Sequence, residues 1–133
     1  MIIGLGCDIV NIERVAALLG EAGERFQARV FTRHEIESAN KYSDKAKYYA
    51  HFAKRFAAKE AFAKALGTGF GKCLSFKDVG IINDISGKPS IILNERASRL
   101  AKTLSGGGQV VCHVALSDDA PYAQAVVIIE SIQ

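Results

Sequence analysis

One segment restricts the possible folds more than any other. From about Asp44 to Leu66 the chain includes AKYYAHFAKRFAAKEAFAKAL, with no glycine or proline. Abundant alanine and the absence of breakers predict one long helix, and Gly67 follows as its stop. The apolar stripe includes Tyr49, Phe52, Ala53, Phe56 and Ala63. Four residues beyond Phe56 the next position on that stripe is Glu60. A carboxylate therefore falls on a face that should be buried.

A second carboxylate sits in equally apolar company. The chain begins MIIGLGCDIVNI, and residues 2–10 read as a strand. With period two, Ile3, Leu5, Cys7 and Ile9 share one face, while Ile2, Gly4, Gly6, Asp8 and Val10 share the other. Asp8 thus stands in line with two glycines. Glycine in a strand marks close approach by a ligand or by another backbone. Both readings fit the pair at this point.

The remaining pattern alternates helical and extended pieces. Asn11 can cap a helix from Ile12 that Gly20 and Gly23 interrupt, and a second helical piece covers Arg25 to Val30. Thr32-Arg33-His34-Glu35 has capping-box spacing and opens a short helix toward Asn40. After Gly71, FKDVGII and SIIL read as strands joined by the turn-rich NDISGKP. Asn94 can cap a helix from Glu95 to about Leu104. QVVCHVALS and YAQAVVIIE then form two strands around the short DDAP loop. The sum is an α+β fold, a largely antiparallel sheet against one long central helix, in a single domain over residues 1–133.

The 133 residues are 49% hydrophobic and 23% charged, enough for one apolar core. Residues 1–72 hold 12 Lys/Arg against 8 Asp/Glu, and the rest hold 5 against 6. That basic bias suits an acidic partner or a phosphate-bearing ligand, or simply a solvated helical surface. A nucleic-acid-binding domain would interleave exposed aromatics with the basic residues, but the long helix's aromatics follow its core stripe. Three cysteines without C-x-x-C spacing argue against a disulfide framework and for a reducing cytoplasm. LGC resembles a lipoprotein cleavage box, but no basic n-region precedes it. No apolar run approaches the roughly 20 residues of a membrane span.

Asp8 and Glu60 admit two explanations. They could form salt bridges, with Lys59, Lys64 or Arg55 as partners, or they could bind a divalent metal. Magnesium prefers oxygen and often takes only one or two protein carboxylates, leaving sites for substrate phosphates and water. GTGFGK at 67–72 resembles a phosphate cradle, but its spacing is not that of a Walker A loop and it follows a helix. Otherwise it is a flexible helix exit. His34, His51 and His113 form no catalytic set by spacing.

Taken together, GLGCDIVNIERV, FAKRFAAKEAFAKALGTG, NDISGKPSIIL and HVALSDD with YAQAVVIIE resemble the holo-acyl-carrier-protein synthase family, the small phosphopantetheinyl transferases. The match runs from the first strand to the last, with the motifs in the same order. The resemblance implies attack by a serine of apo-acyl carrier protein on magnesium-bound coenzyme A. The 4'-phosphopantetheine arm would move to that serine and adenosine 3',5'-bisphosphate would leave.

By motif, the resemblance makes Asp8 and Glu60 the Mg2+ ligands, has Gly4 and Gly6 clear the face that a large phosphorylated ligand must approach, and puts Lys64 near the pyrophosphate. There Lys64 would stabilise or protonate the leaving group. A metal-bound water oriented by Glu60 would accept the serine proton. Arg55, Lys59, Gly67, Thr68 and Gly69 would line the coenzyme pocket, with Pro89 near the adenine. Many members carry Ser-His where this chain has Ser117-Asp118, so these two are expected only as pocket lining. Arg14 occupies the carrier-protein contact position. Arg25, Arg29 and Arg33 follow at spacing four, one basic face if the segment stays helical. The resemblance further implies a homotrimer with active sites at subunit boundaries, and no nucleic-acid or membrane partner. The alternative, a non-catalytic carrier-protein or nucleotide-binding module, predicts loss of the carboxylate pair or Lys64, and neither is lost.

Overall fold

The computed structural model describes all 133 residues, Met1–Gln133. In chain order the elements are β1 (Ile2–Asn11), α1 (Ile12–Glu21), α2 (Gly23–Val30), α3 (Arg33–Ala39), α4 (Lys45–Leu66), β2 (Val79–Asn83), β3 (Pro89–Leu93), α5 (Glu95–Leu104), β4 (Gln109–Asp119) and β5 (Tyr122–Ile132). The expected α+β class holds, but the strands form two antiparallel sheets. One is three-stranded in the order β1-β5-β4, the other is the β2-β3 hairpin.

Capping chemistry fixes the helix ends. The Asn11 side chain accepts from Glu13 N, Thr32 and Glu35 complete a reciprocal capping box, and Asp44 accepts from Ala46 N and Lys47 N. Gly67 closes α4 in the left-handed region, φ 79°, where a Cβ would be strained. One expected strand begins late: Phe76–Asp78 is a 3₁₀ turn. There Ser75 N donates to Asp78 Oδ2, and pairing starts only at Val79.

The long helix is buried on nearly every side, not along one stripe. Ala50 to Ala53, Arg55, Ala57 to Lys59, Ala61 to Ala63 and Ala65 are all inside. Small alanine side chains let sheet and helices crowd it from several directions. One cluster joins Ala57, Ala61 and Phe62 to Ile81, Val127 and Ile129, and a second joins Phe52 and Ala53 to Val15, Val30 and Phe31.

Strand β1 and helix α4 pack backbone against backbone. A Cβ on Gly4 would collide with the Ala65 carbonyl, and one on Gly6 with the Ala61 carbonyl. Two strand residues advance about 6.6 Å and four helix residues about 6 Å, so strand and helix keep step. The glycines therefore clear the face for the helix backbone, which corrects the expectation that they clear it for a ligand. The opposite face of β1 is bare: Leu5 is 67% and Ile9 61% exposed.

Candidate functional site

Asp8 is the next inward position after Gly4 and Gly6. Without a Cβ at those two positions β1 lies against α4, and Asp8 arrives beside the turn carrying Glu60 and Lys64. Asp8 and Glu60 line one small cavity of about 210 Å³, with Arg14, Val15, Leu18 and Phe56. Lys64 Nζ donates to Asp8 Oδ1 at 2.8 Å and to the Cys7 carbonyl at 3.1 Å. The salt-bridge and metal explanations of Asp8 thus meet at one place, because the lysine of the first stands beside the carboxylate pair of the second.

The electrostatics are unbalanced. Burial, and then the negative charge of Asp8, raise the Glu60 pKa above the ordinary carboxylate value. Its charged form lacks enough positive charge nearby, since Lys64 is committed to Asp8. That bond and the Asp8 charge raise the Lys64 pKa, so its ammonium is held through neutral pH. A divalent cation between the carboxylates would remove the strain on Glu60, and two oxygen donors suit a hard ion that keeps other positions for phosphate and water. No group of three His, Cys, Asp or Glu side chains converges anywhere, so any such ion would need outside ligands.

The other expected pocket residues separate into groups. Arg55 and Pro89 share a second cavity of about 420 Å³ with Lys41, Tyr42, Lys54 and Asn83. Arg55 donates to Asn83 Oδ1 and to the His51 carbonyl. Gly67, Thr68 and Gly69 lie exposed beyond the last turn of α4. Their loop is anchored, because Phe70 stacks on Phe76 at 4.0 Å and Phe76 on Phe56. Ser117 and Asp118 are exposed near the end of β4, and Asp118 pairs with Lys54 at 3.0 Å.

Lys59 is a correction. It is fully buried, ion-paired with Glu35 Oε1 at 2.7 Å, and donates to the Phe76 and Val79 carbonyls. All three of its protons are used inside the protein, so none is left for a coenzyme. Glu35, read from sequence only as a capping residue, is the other half. Its Oε1 accepts from Thr32 N and its Oε2 from Ile81 N, tying α3 to β2 through α4. His51, also buried, gives its Nε2 to the Glu35 carbonyl and Ser38. The capping-box spacing was the one sequence signal that Glu35 is fixed in place.

The basic stripe is also broken. Arg25 and Arg29 lie on α2, but Thr32 interrupts the helix and Arg33 opens α3, where it pairs with Glu37 at 3.0 Å. Arg14 is exposed on α1 at the rim of the Asp8–Glu60 cavity.

Comparison with known proteins places this arrangement. Residues 4–125 match the family model described as the 4'-phosphopantetheinyl transferase superfamily. A holo-acyl-carrier-protein synthase of Erythrobacter litoralis is 50% identical over 132 residues, 98% of each chain. Among solved structures, the holo-acyl-carrier-protein synthase of Neisseria meningitidis superposes with a TM-score of 0.84 at 35% identity, covering 98% of this chain and 100% of that one. The Bacillus anthracis synthase, solved in complex with coenzyme A (3',5'-ADP), gives 0.82 at 33% identity, covering 99% of each chain. With its strand order, central helix and full-length likeness in agreement, the chain belongs to the 4'-phosphopantetheinyl transferase superfamily.

Proposed function

We propose that this single-domain chain transfers 4'-phosphopantetheine from coenzyme A to a serine of apo-acyl carrier protein, giving holo-acyl carrier protein and adenosine 3',5'-bisphosphate. The observation that carries the proposal is that Asp8 and Glu60 line one cavity while Lys64 bonds to Asp8 beside it. The serine oxygen forms a bond to the phosphorus that carries the pantetheine arm. The bond from that phosphorus to the bridging oxygen breaks, and the bridging oxygen leaves with the nucleotide. Such a transfer needs positioning and charge neutralisation more than covalent chemistry.

Asp8 and Glu60 are the residues that would hold Mg2+. The bound ion would supply positive charge to the pyrophosphate. Lys64 adds a second positive charge. From its place beside Asp8 it would stabilise or protonate the leaving phosphate. Glu60, at the cavity wall, would orient the water that accepts the serine proton.

The acidic carrier protein would dock across Arg14 and the α2 arginines, Arg25 and Arg29. Arg33 extends the basic surface from a separate helix. The exposed apolar face of the three-stranded sheet supports a homotrimer. Leu5 stands opposite Ile128 and Cys7 opposite Val126, and Ala115 of β4 continues the second row. A bare apolar face of this kind marks an interaction surface. No helix is long and apolar enough to cross a membrane, and we place the enzyme in the cytoplasm.

The test is transfer itself. Asp8→Ala and Glu60→Ala should each abolish transfer while leaving the far-ultraviolet circular dichroism unchanged. Full activity in either variant would remove that residue from the site.

A further inference from the structure

Residues 67–72, GTGFGK, alternate glycine with other side chains. Gly67 and Gly69 lie at positive φ, 79° and 62°, and no atom stands within 4 Å of where their Cβ atoms would be. Glycine loses more freedom on ordering than any other residue. A free segment of this kind would bind a ligand weakly, because binding would have to order it. This loop has one side chain turned inward: among residues 67–73 only Phe70 is not exposed.

Phe70 is the end of a row of rings. It stacks on Phe76 with 4.0 Å between centroids and 21° between planes. Phe76 stacks on Phe56 at 5.7 Å and 19°, and Phe56 lines the Asp8–Glu60 cavity. Phe76 opens the 3₁₀ turn that Ser75 and Asp78 close, so the middle ring stands on a fixed backbone. From Phe56 to Gly67 the helix rises about 16 Å, yet two ring contacts bring Phe70 back toward Phe56. The chain that leaves α4 past Lys64 is therefore folded back along the helix instead of running on into solvent. Backbone bonds are short at the loop's ends, Gly67 N to the Ala63 carbonyl at 3.0 Å and Gly71 N to the Leu74 carbonyl at 2.9 Å. In its middle the bond is long, Gly69 N to the Ala63 carbonyl at 3.4 Å. There the Phe70 ring is the main restraint.

We propose that Phe70, seated on Phe76, is a positioning residue for the transfer: it holds the glycine loop in its coenzyme-binding shape before the coenzyme arrives. Phe70 acts through the loop backbone, and Phe76, behind it, acts only as the seat. Without the stack the loop would become ordered on binding, and affinity would fall by what the ring contact contributes, at most about ten-fold. The inference rests on the coenzyme reading above.

Hydrogen exchange of the free protein and calorimetric titration with coenzyme A and Mg2+ test it together. Phe70→Ala should speed exchange at the amides of residues 67–71 and weaken coenzyme binding about five-fold. Its kcat at saturating coenzyme should stay within about two-fold of the unmodified enzyme. Phe70→Tyr should restore loop protection and affinity. Phe76→Leu should repeat the losses, and the double variant of Phe70→Ala with Phe76→Leu should lose no more than Phe70→Ala alone. A loss of affinity with Phe70→Ala that Phe76→Leu does not share would make Phe70 a coenzyme contact and overturn the inference. Unchanged loop exchange or additive losses would overturn it as well. Coenzyme binding that follows the expected pattern, with no transfer to any carrier protein, would support it and count against the proposed function alone.

Discussion

At the scale of single residues, Asp8 and Glu60 line one cavity, and their sequence pattern explains only part of why. Asp8 and Glu60 were conspicuous because charge is costly among apolar neighbours. Their convergence follows from Gly4 and Gly6, whose missing Cβ atoms let β1 seat against α4. A glycine in a strand announces a close approach but not what approaches. Lys59 shows the opposite limit: lysines at 54, 59 and 64 look equivalent in a helix, and only the packing of α3 and β2 puts Lys59 inside against Glu35. Lys59→Met should cost about 3–5 kcal/mol in chemical denaturation, because it strands a buried carboxylate. Transfer per folded molecule should stay near that of the unmodified protein, and a selective rise in the coenzyme KM would restore Lys59 to the pocket. Glu60 has a pH signature. Its raised pKa means the folded protein keeps a proton that the unfolded chain has already released. The stability this gives is complete below the unfolded value and fades as pH climbs through the folded one. Glu60→Gln should therefore raise the melting temperature of metal-free protein at neutral pH. The same variant should abolish any stabilisation by added Mg2+; a lowered melting temperature would contradict the strain assigned to Glu60.

Among elements, α4 organises the molecule, and its existence was plain in its composition. What the sequence pattern concealed was its all-round burial: alanines at 50, 53, 57, 58, 61, 63 and 65 are compatible with either one buried face or several. The contact with β1 is the least tolerant part. Gly6→Ala should destabilise the fold by about 3 kcal/mol, since backbone, not a flexible side chain, must move. A loss below about 1 kcal/mol would show that strand and helix can separate freely. The join between α3 and α4 carries its own pH dependence. Burial, aided by the charge of Arg55, lowers the His51 pKa to about 4. The unfolded chain takes up a proton near the ordinary value of 6.5, and the folded protein does not. Stability should therefore fall as pH drops from 6.5 toward 4, by at most about 1.4 kcal/mol per unit from this group. His51→Gln should flatten that part of the profile.

For the whole molecule, the α+β class and the order of elements were legible because each piece carries its own stop and cap. The division into two sheets was not, since pairing partners depend on contacts far apart in sequence. Nor was the burial of β1: both of its faces carry apolar residues or glycine, and the apolar side chains of Leu5 and Ile9 turned out to be on the bare side. That face should be covered by copies of the chain. Light scattering should give three times the 14.3 kDa chain mass, and Leu5→Glu should reduce it to one; a monomer in the unmodified protein would leave the face without its proposed occupant. The basic surface around Arg14 should make carrier-protein binding weaken with salt, because exposed charges are screened within about 10 Å at 0.1 M. The central claim is the transfer reaction. The most direct measurement is the intact mass of an authentic apo-acyl carrier protein after incubation with the enzyme, coenzyme A and Mg2+. The account predicts a gain of one phosphopantetheine on the carrier serine, absent with Asp8→Ala; an unchanged carrier mass with the unmodified enzyme would contradict it.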